Sequence, residues 1–422
     1  MAKLPKLTLD RATTRDGVVV LLEQGALSLM TLVVQVAVAR GTAPYEYGIF
    51  FLAMTLVYFV ETLHRSLVTV PYVVLQQGMA ENEVDALRGS MLASTGFMLA
   101  IVGLVVVGAH ALGNRLGSMS AVSPVVLAGI FAAVVAVTGR GLIRAFLLAE
   151  LKVSKALAVS ASCATLTMGL MAVAYVNETI TVGSALAMLG IGSVIPSLVW
   201  LAVNRSRIRF SSVLPDGIRA ARYGRWITLS VLVNALGVRA IPWLLALWAT
   251  PAEVALFGVL ATIAGIANPL INGLFSYLTP KLLSIAGKRG VSRATGAGTS
   301  VFYASLLLVP VYGALMLFFG DYLVSAFFSA EYSGHAIALS LLAMEVALKG
   351  ANLVQVSMLR VVRKPKIEFI ASLLGSAGCM SAALLLVPKY GVAGAAWAML
   401  LGFAVVLVFN QAALSRSMKR SS

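Results

Sequence analysis

The sequence predicts an all-α polytopic membrane protein with twelve transmembrane helices in two pseudo-symmetric six-helix bundles. Three observations carry this prediction. Of 422 residues, 60% are hydrophobic and 11% charged, and the ratio holds from end to end, unlike any soluble domain. Lysine and arginine are sorted to one side of the apolar segments. Short runs in the first half return, in order, in the second.

At about 1.5 Å per residue, a helix needs about 20 apolar residues to cross a hydrocarbon core of about 30 Å. Segments that qualify fall at 17–39, 47–76, 90–110, 122–143, 155–176, 181–203, 226–249, 254–280, 298–320, 335–360, 366–387 and 391–414. They divide the chain into a tail (1–16), a first bundle (17–203), a basic linker (204–225), a second bundle (226–415) and a short tail (416–422). Ala37-Val38-Ala39 resembles a signal-peptidase site, but the segment before it is long and contains Glu23 and Gln24, so it reads as a retained first helix.

Helix 1 carries Glu23, Gln24 and Gln35. Helix 2 holds the densest polar pattern: Tyr58, Glu61, Thr62, Arg65, Thr69 and Tyr72 recur every three or four residues and form one stripe, with His64 beside it. Arg65 lies about 16 Å of helix from the Gln76 end and Glu61 about 22 Å. Charges at that depth cost roughly 2.5–3.5 kcal/mol each in lipid, so they are expected to face protein or a wet cavity. Glu61 and Arg65 form an acid-then-base pair at i,i+4. A structural ion pair between helices is the plainer use of such a stripe; a polar cavity is the reading preferred.

Helices 3 to 5 are rich in Ala, Gly and Ser, as close packing in lipid requires. Asn177-Glu178-Thr179 barely turns the chain between helices 5 and 6. In the linker, Pro215-Asp216-Gly217 reads as a turn. Helix 7 adds Asn234 and Arg239, the latter about 21 Å from Arg225. Helix 8 has a stripe of Asn268, Asn272, Ser276 and Thr279, with Pro269 expected to bend it. Helix 10 has a third: Glu345, Lys349, Asn352 and Gln355, again with the acid four residues before the base. The candidate cavity residues are therefore Arg65, Arg239, Lys349, His64, Asn268, Asn272 and Asn352. Glu23, Glu61 and Glu345 are candidates for charge pairing or ion coupling.

The net charge of +16 would suit nucleic acid, but 26 of the 32 Lys and Arg fall in one set of alternate loops and tails. That set comprises both tails, Arg88, the 4–5 junction (Arg140, Arg144, Lys152, Lys155), the linker and the 8–9 and 10–11 junctions. The excess is thus topological and places both termini in the cytoplasm, where some of these side chains also attract anionic lipids. Cys163 and Cys379 fall inside predicted helices and read as packing residues. With three histidines and no HExxH, CxxC, GxSxG or phosphate loop, enzyme chemistry has no visible home.

The halves look related. The run 183–189 (GSALAML) matches 394–400 (GAAWAML), and Pro44-Tyr45-Glu46 matches Pro251-Ala252-Glu253 at a similar offset. Carried inward, the second offset sets Glu61 opposite Asn268 and Arg65 opposite Asn272. Repeats separated by six helices share orientation, as in some secondary transporters.

Phe327-Phe-Ser-Ala-Glu-Tyr332, Arg363-Lys-Pro-Lys366 and Leu386-Val-Pro-Lys-Tyr-Gly-Val-Ala-Gly-Ala-Ala396 resemble the C-terminal half of bacterial polysaccharide transporters, and Glu46-Tyr-Gly-Ile-Phe50 resembles the start of their second helix. These are the Wzx-type flippases of the MATE/MOP superfamily. The resemblance implies two bundles in a V that alternate access across the inner membrane. It implies an undecaprenyl-diphosphate-linked oligosaccharide as cargo, bound by cavity cations, and other polysaccharide-assembly membrane proteins as partners. No cofactor is expected, and proton or sodium coupling stays open. One departure is that Glu23, Glu61 and Glu345 offset Arg65, Arg239 and Lys349. The alternative is a cation-coupled multidrug exporter of the same superfamily. Against it, all five aspartates lie in loops or tails. A membrane polymerase or glycosyltransferase would need a larger external loop than any here.

Overall fold

The computed structural model describes residues 11–77, 79–116, 123–362 and 364–419. Lys3, Lys6, Arg363 and Arg420, and most of the N-terminal tail, lie outside them. Among the described residues every regular element is helical. The first half contains α1 (Arg11–Gly41), α2 (Pro44–His64), a π-turn (Arg65–Thr69), α3 (Val70–Leu75), α4 (Glu81–Leu116), α5 (Pro124–Ala149), α6 (Val153–Val176) and α7 (Val182–Val203). The second contains α8 (Val213–Asn234), a π-turn (Ala235–Arg239), α9 (Ile241–Trp248), α10 (Pro251–Ala264), a 3₁₀ turn (Gly265–Ala267), α11 (Asn268–Arg289), α12 (Val291–Phe327), α13 (Ala336–Val361) and α14 (Pro365–Lys419).

Starts are written locally. Pro44, Pro124 and Pro251 stand in the first turns of their helices, where no backbone donor is needed. Ser123 and Thr250 cap α5 and α10, and Thr181 with Ser184 forms a capping box on α7.

Eleven helices among the described residues are long and apolar enough to cross a membrane. The last, 51 residues from Lys366 to Arg416, would measure about 76 Å if straight, more than twice the hydrocarbon thickness. It folds at Gly391, whose φ of 52° and ψ of −126° are not helical. Beyond it the chain runs back, so that Gly402 packs on Cys379 and Gly375 on Val406. This hairpin makes twelve crossings, as the sequence predicts. The chain is a multi-pass membrane protein. Its two free cysteines are both buried.

In the first half α5 packs on α7, α6 on α1 and α7, and α2 on α5. In the second α13 packs on α12, α14 and α11. The halves meet chiefly where α2 lies on α10. There a Cβ at Gly48 would stand 2.0 Å from the Pro251 carbonyl oxygen, so only glycine allows this approach. Nearby, Arg40 at the end of α1 donates to the carbonyls of Ala326 and Phe328, both at 2.6 Å, at the C-terminus of α12. Tyr47, Phe328 and Tyr332 cluster beside it. These contacts close the end opposite the basic one.

The basic end differs from the sequence reading in two places. Pro215, Asp216 and Gly217 do not form a turn; they lie in the first turns of α8. A proline costs no hydrogen bond there and an aspartate suits the helix N-terminus, while Asp216 also accepts from Ser90 at 3.2 Å. Arg88 is not a loop residue but sits in α4, 4% exposed, between Asp85 and Glu150. Arg207 reaches the same Glu150 at 3.3 Å.

Helix 7 divides its packing. Below its π-turn, α8 lies on the first half: Thr228 bonds Ser66 at 2.9 Å, and Gly224 rests on the Ser66 carbonyl. At the π-turn, Gly237 abuts Ser376 of α14, and α9 continues along α14 and α10.

Candidate functional site

The structure draws one cluster of polar groups from four predicted spans. Tyr58 and Glu61 come from α2, Thr31 from α1, Arg140 from α5 and Arg239 from the π-turn of helix 7. The Tyr58 hydroxyl meets Thr31 and lies in the fields of Arg140, Glu61 and Arg239, and the charge acting most strongly on Arg239 is Glu61. Arg140 also stands 3.8 Å from the Met30 sulfur.

Glu61 and Arg65 make no ion pair within 4 Å, contrary to their i,i+4 spacing. The π-turn starts at Arg65, and its wider turn changes the azimuth of everything beyond Glu61, while Arg239 from helix 7 supplies the positive charge instead. Arg65 itself is exposed. π-turns inside otherwise regular helices recur at functional sites; here they carry Arg65 and Arg239.

Glu23 is fully buried. Arg144 grips it with two nitrogens at 2.7 and 3.0 Å, and Ser160 donates to it at 2.8 Å. Arg140 and Arg144 were sorted with the basic surface by sequence, but both lie within α5, one turn apart, facing α1. Their signal was that same i,i+4 spacing next to a buried glutamate on a neighbouring helix. His64 is 1% exposed and shares a 2.9 Å hydrogen bond with Thr95 of α4, so it joins helix packing rather than a cavity.

On α13, Glu345 is 6% exposed and Lys349 is its nearest opposite charge, yet they form no ion pair within 4 Å. Asn352 accepts from Asn410 at 2.9 Å, and Gln355 donates to Gln411 at 3.1 Å, which ties the lower part of that stripe to α14. The Asn268 side-chain oxygen is buried without a hydrogen-bond partner, and Asn272 is exposed. No contact among the described residues joins Lys349 to Arg65 or Arg239. An apolar cleft of about 320 Å³ lies between α11, α12 and α13, lined by Leu270, Leu274, Leu308 and Val311 among others. Among the described residues no group of three His, Cys, Asp or Glu could hold a metal ion.

With Glu23 neutralised by Arg144, Glu61 faces three guanidiniums, those of Arg65, Arg140 and Arg239. The offset of acids against bases inferred from sequence is therefore incomplete on this side, and the cluster can accept an anion.

The arrangement of twelve crossings in two halves is that of the MATE/MOP superfamily transporters. An inward-facing conformation of a multidrug resistance MATE family transporter overlaps with a TM-score of 0.74 at 17% identity, covering 94% of this chain and 96% of the other. The lipid II flippase MurJ in an inward closed conformation gives 0.74 at 14%, covering 95% and 87%. An outward-facing MATE family transporter gives 0.61 at 17%, covering 97% and 96%. No protein-family profile matches the chain. An uncharacterized membrane protein of Methanocaldococcus jannaschii is 25% identical over 152 residues, or 34% of this chain. The match spans 30% of that relative's length.

Proposed function

We propose that the protein is a flippase that moves an undecaprenyl-diphosphate-linked oligosaccharide from the cytoplasmic to the outer leaflet by alternating access. The observation that carries this reading is the excess of guanidinium over carboxylate where Arg65, Arg140 and Arg239 surround Glu61. Arginine's planar fork suits a diphosphate, and the apolar cleft between α11, α12 and α13 offers surface for a hydrocarbon chain. The motifs that resemble Wzx-type flippases and the overlap with a lipid II flippase support the same direction. The basic end is then cytoplasmic, and the closed end faces outward.

A diphosphate headgroup carries about two negative charges, and a negative-inside potential favours its exit by about 2.3 kcal/mol per charge per 100 mV. Ion coupling would then serve to reset the carrier, with Glu61 and Glu345 the residues placed to titrate. A cation-coupled multidrug exporter is the second reading. It is favoured by an equal structural overlap and by the buried Glu345, which has no ion-pair partner within 4 Å.

The deciding experiment measures lipid-linked oligosaccharide on each leaflet after deletion of the gene. Accumulation on the inner leaflet is expected, and normal distribution with lost drug export would favour the second reading. Arg239→Ala and Arg140→Ala should each abolish flipping, and Arg239→Lys should restore part of it. Orientation is tested separately by cysteines at 212 and 329 in intact cells: an impermeant reagent should label only 329.

A further inference from the structure

At the closed end, three turns of the second half surround an open cleft of about 680 Å³, between α9 and α10, between α12 and α13, and at the α14 hairpin. Pro44 at the start of α2 completes it from the first half. None of the candidate residues above lines it. Its polar wall holds Glu253, Glu331, His335 and Lys389, and its aromatic wall Trp248 and Tyr390.

The volume lies within the range of small-molecule sites, about 300–1,000 Å³. The side chains are held in place. Glu253 stands against the hairpin, where a Cβ at Gly391 would come within 2.5 Å of its Oε2. Trp248 and Tyr390 are 45% and 62% exposed and leave ring surface uncovered. Tyr332, 3% exposed, lines the same cleft, and its hydroxyl has no hydrogen-bond partner. Burial, with Glu331 beside it, pushes that phenol up to about 12, so it stays a neutral donor.

Such a lining selects by elimination. An anion meets two carboxylates, and a cation meets Lys389 beside them. A neutral ligand with many hydroxyls uses every group: it donates to Glu253 and Glu331, accepts from Lys389 and the Tyr332 phenol, and lays its C–H face on an indole or phenol ring. We infer that this cleft is a saccharide-binding site on the outward end, separate from the guanidinium cluster. The inference rests on the flippase reading only for the source of the sugar, which would be the cargo's own glycan after transfer. Because Pro44 forms part of the wall, occupancy favours the closed arrangement of that end.

The test is calorimetric titration of the purified full-length protein with four trisaccharides: neutral maltotriose and N-acetylchitotriose, cationic chitosan trimer and anionic trigalacturonate. A neutral trisaccharide should bind more tightly than both charged ones, and Trp248→Ala and Glu253→Gln should each weaken it about tenfold or more. Tyr390→Ala, at an exposed position, repeats the test without risk to folding. The inference is overturned if neither neutral sugar binds, if a charged one binds more tightly, or if all three variants bind as the wild type does. Arg239→Ala should leave sugar binding unchanged. Loss of flipping evidence with retained sugar binding would therefore remove the flippase reading alone, and the converse would remove this one alone.

Discussion

Glu23 shows what a charge requires inside this molecule. It has no exposed surface, and its compensation comes from Arg144 and Ser160 on two other helices. Removing one partner leaves the other buried and uncompensated, which costs about 3–5 kcal/mol, whereas removing both costs less. Arg144→Ala should therefore lower thermal stability in detergent more than the double change Glu23→Gln/Arg144→Gln. An additive result would show that the pair is not coupled. Sequence reasoning found Glu23 and Glu61 but gave Glu61 the wrong partner and Glu23 none. Spacing along one helix measures depth and face; it does not say which neighbouring helix supplies the countercharge. Arg140 and Arg144 were missed for a related reason. An arginine near a span end is read as topology unless a buried acid on another helix is known to face it.

At the scale of elements, the twelve crossings were legible because lipid forces each to be a long apolar run. Internal irregularities were not. The π-turns at Arg65–Thr69 and Ala235–Arg239 have no composition of their own, although Pro71 and Pro242 follow closely. The α14 hairpin was legible as two spans, since Pro388 and Gly391 interrupt an apolar stretch too long for one. Gly391 cannot be replaced cheaply: its φ is 52°, and a side chain would strike Glu253. Gly391→Val should cost about 1–3 kcal/mol from backbone strain alone, read as a lowered unfolding temperature. Gly378→Ala, which has room within ordinary contact distance of Val405, is the control expected to change little.

The whole molecule is closed at one end by a small set of contacts between its halves: the Arg40 bonds to the α12 terminus, the aromatic cluster at Tyr47, and the Gly48 approach to Pro251. Arg40→Ala removes a cation from helix-terminal carbonyls, a place where cations are favoured. Gly48→Leu wedges the seam. Both should shift the protein toward opening at that end, seen as longer distances between spin labels at 44 and 252. Unchanged distances in both variants would mean that the closure is held elsewhere. One consequence follows from the divided packing of helix 7. In mechanical terms this helix is a shaft gripped by a different body at each end, α4 and the Ser66 region below, α14 above. When the bodies counter-rotate, the shaft takes up the torque over the five residues between the grips. Arg239 is the last of those five, so its angle to Glu61 is a gauge of how far the two bodies have turned.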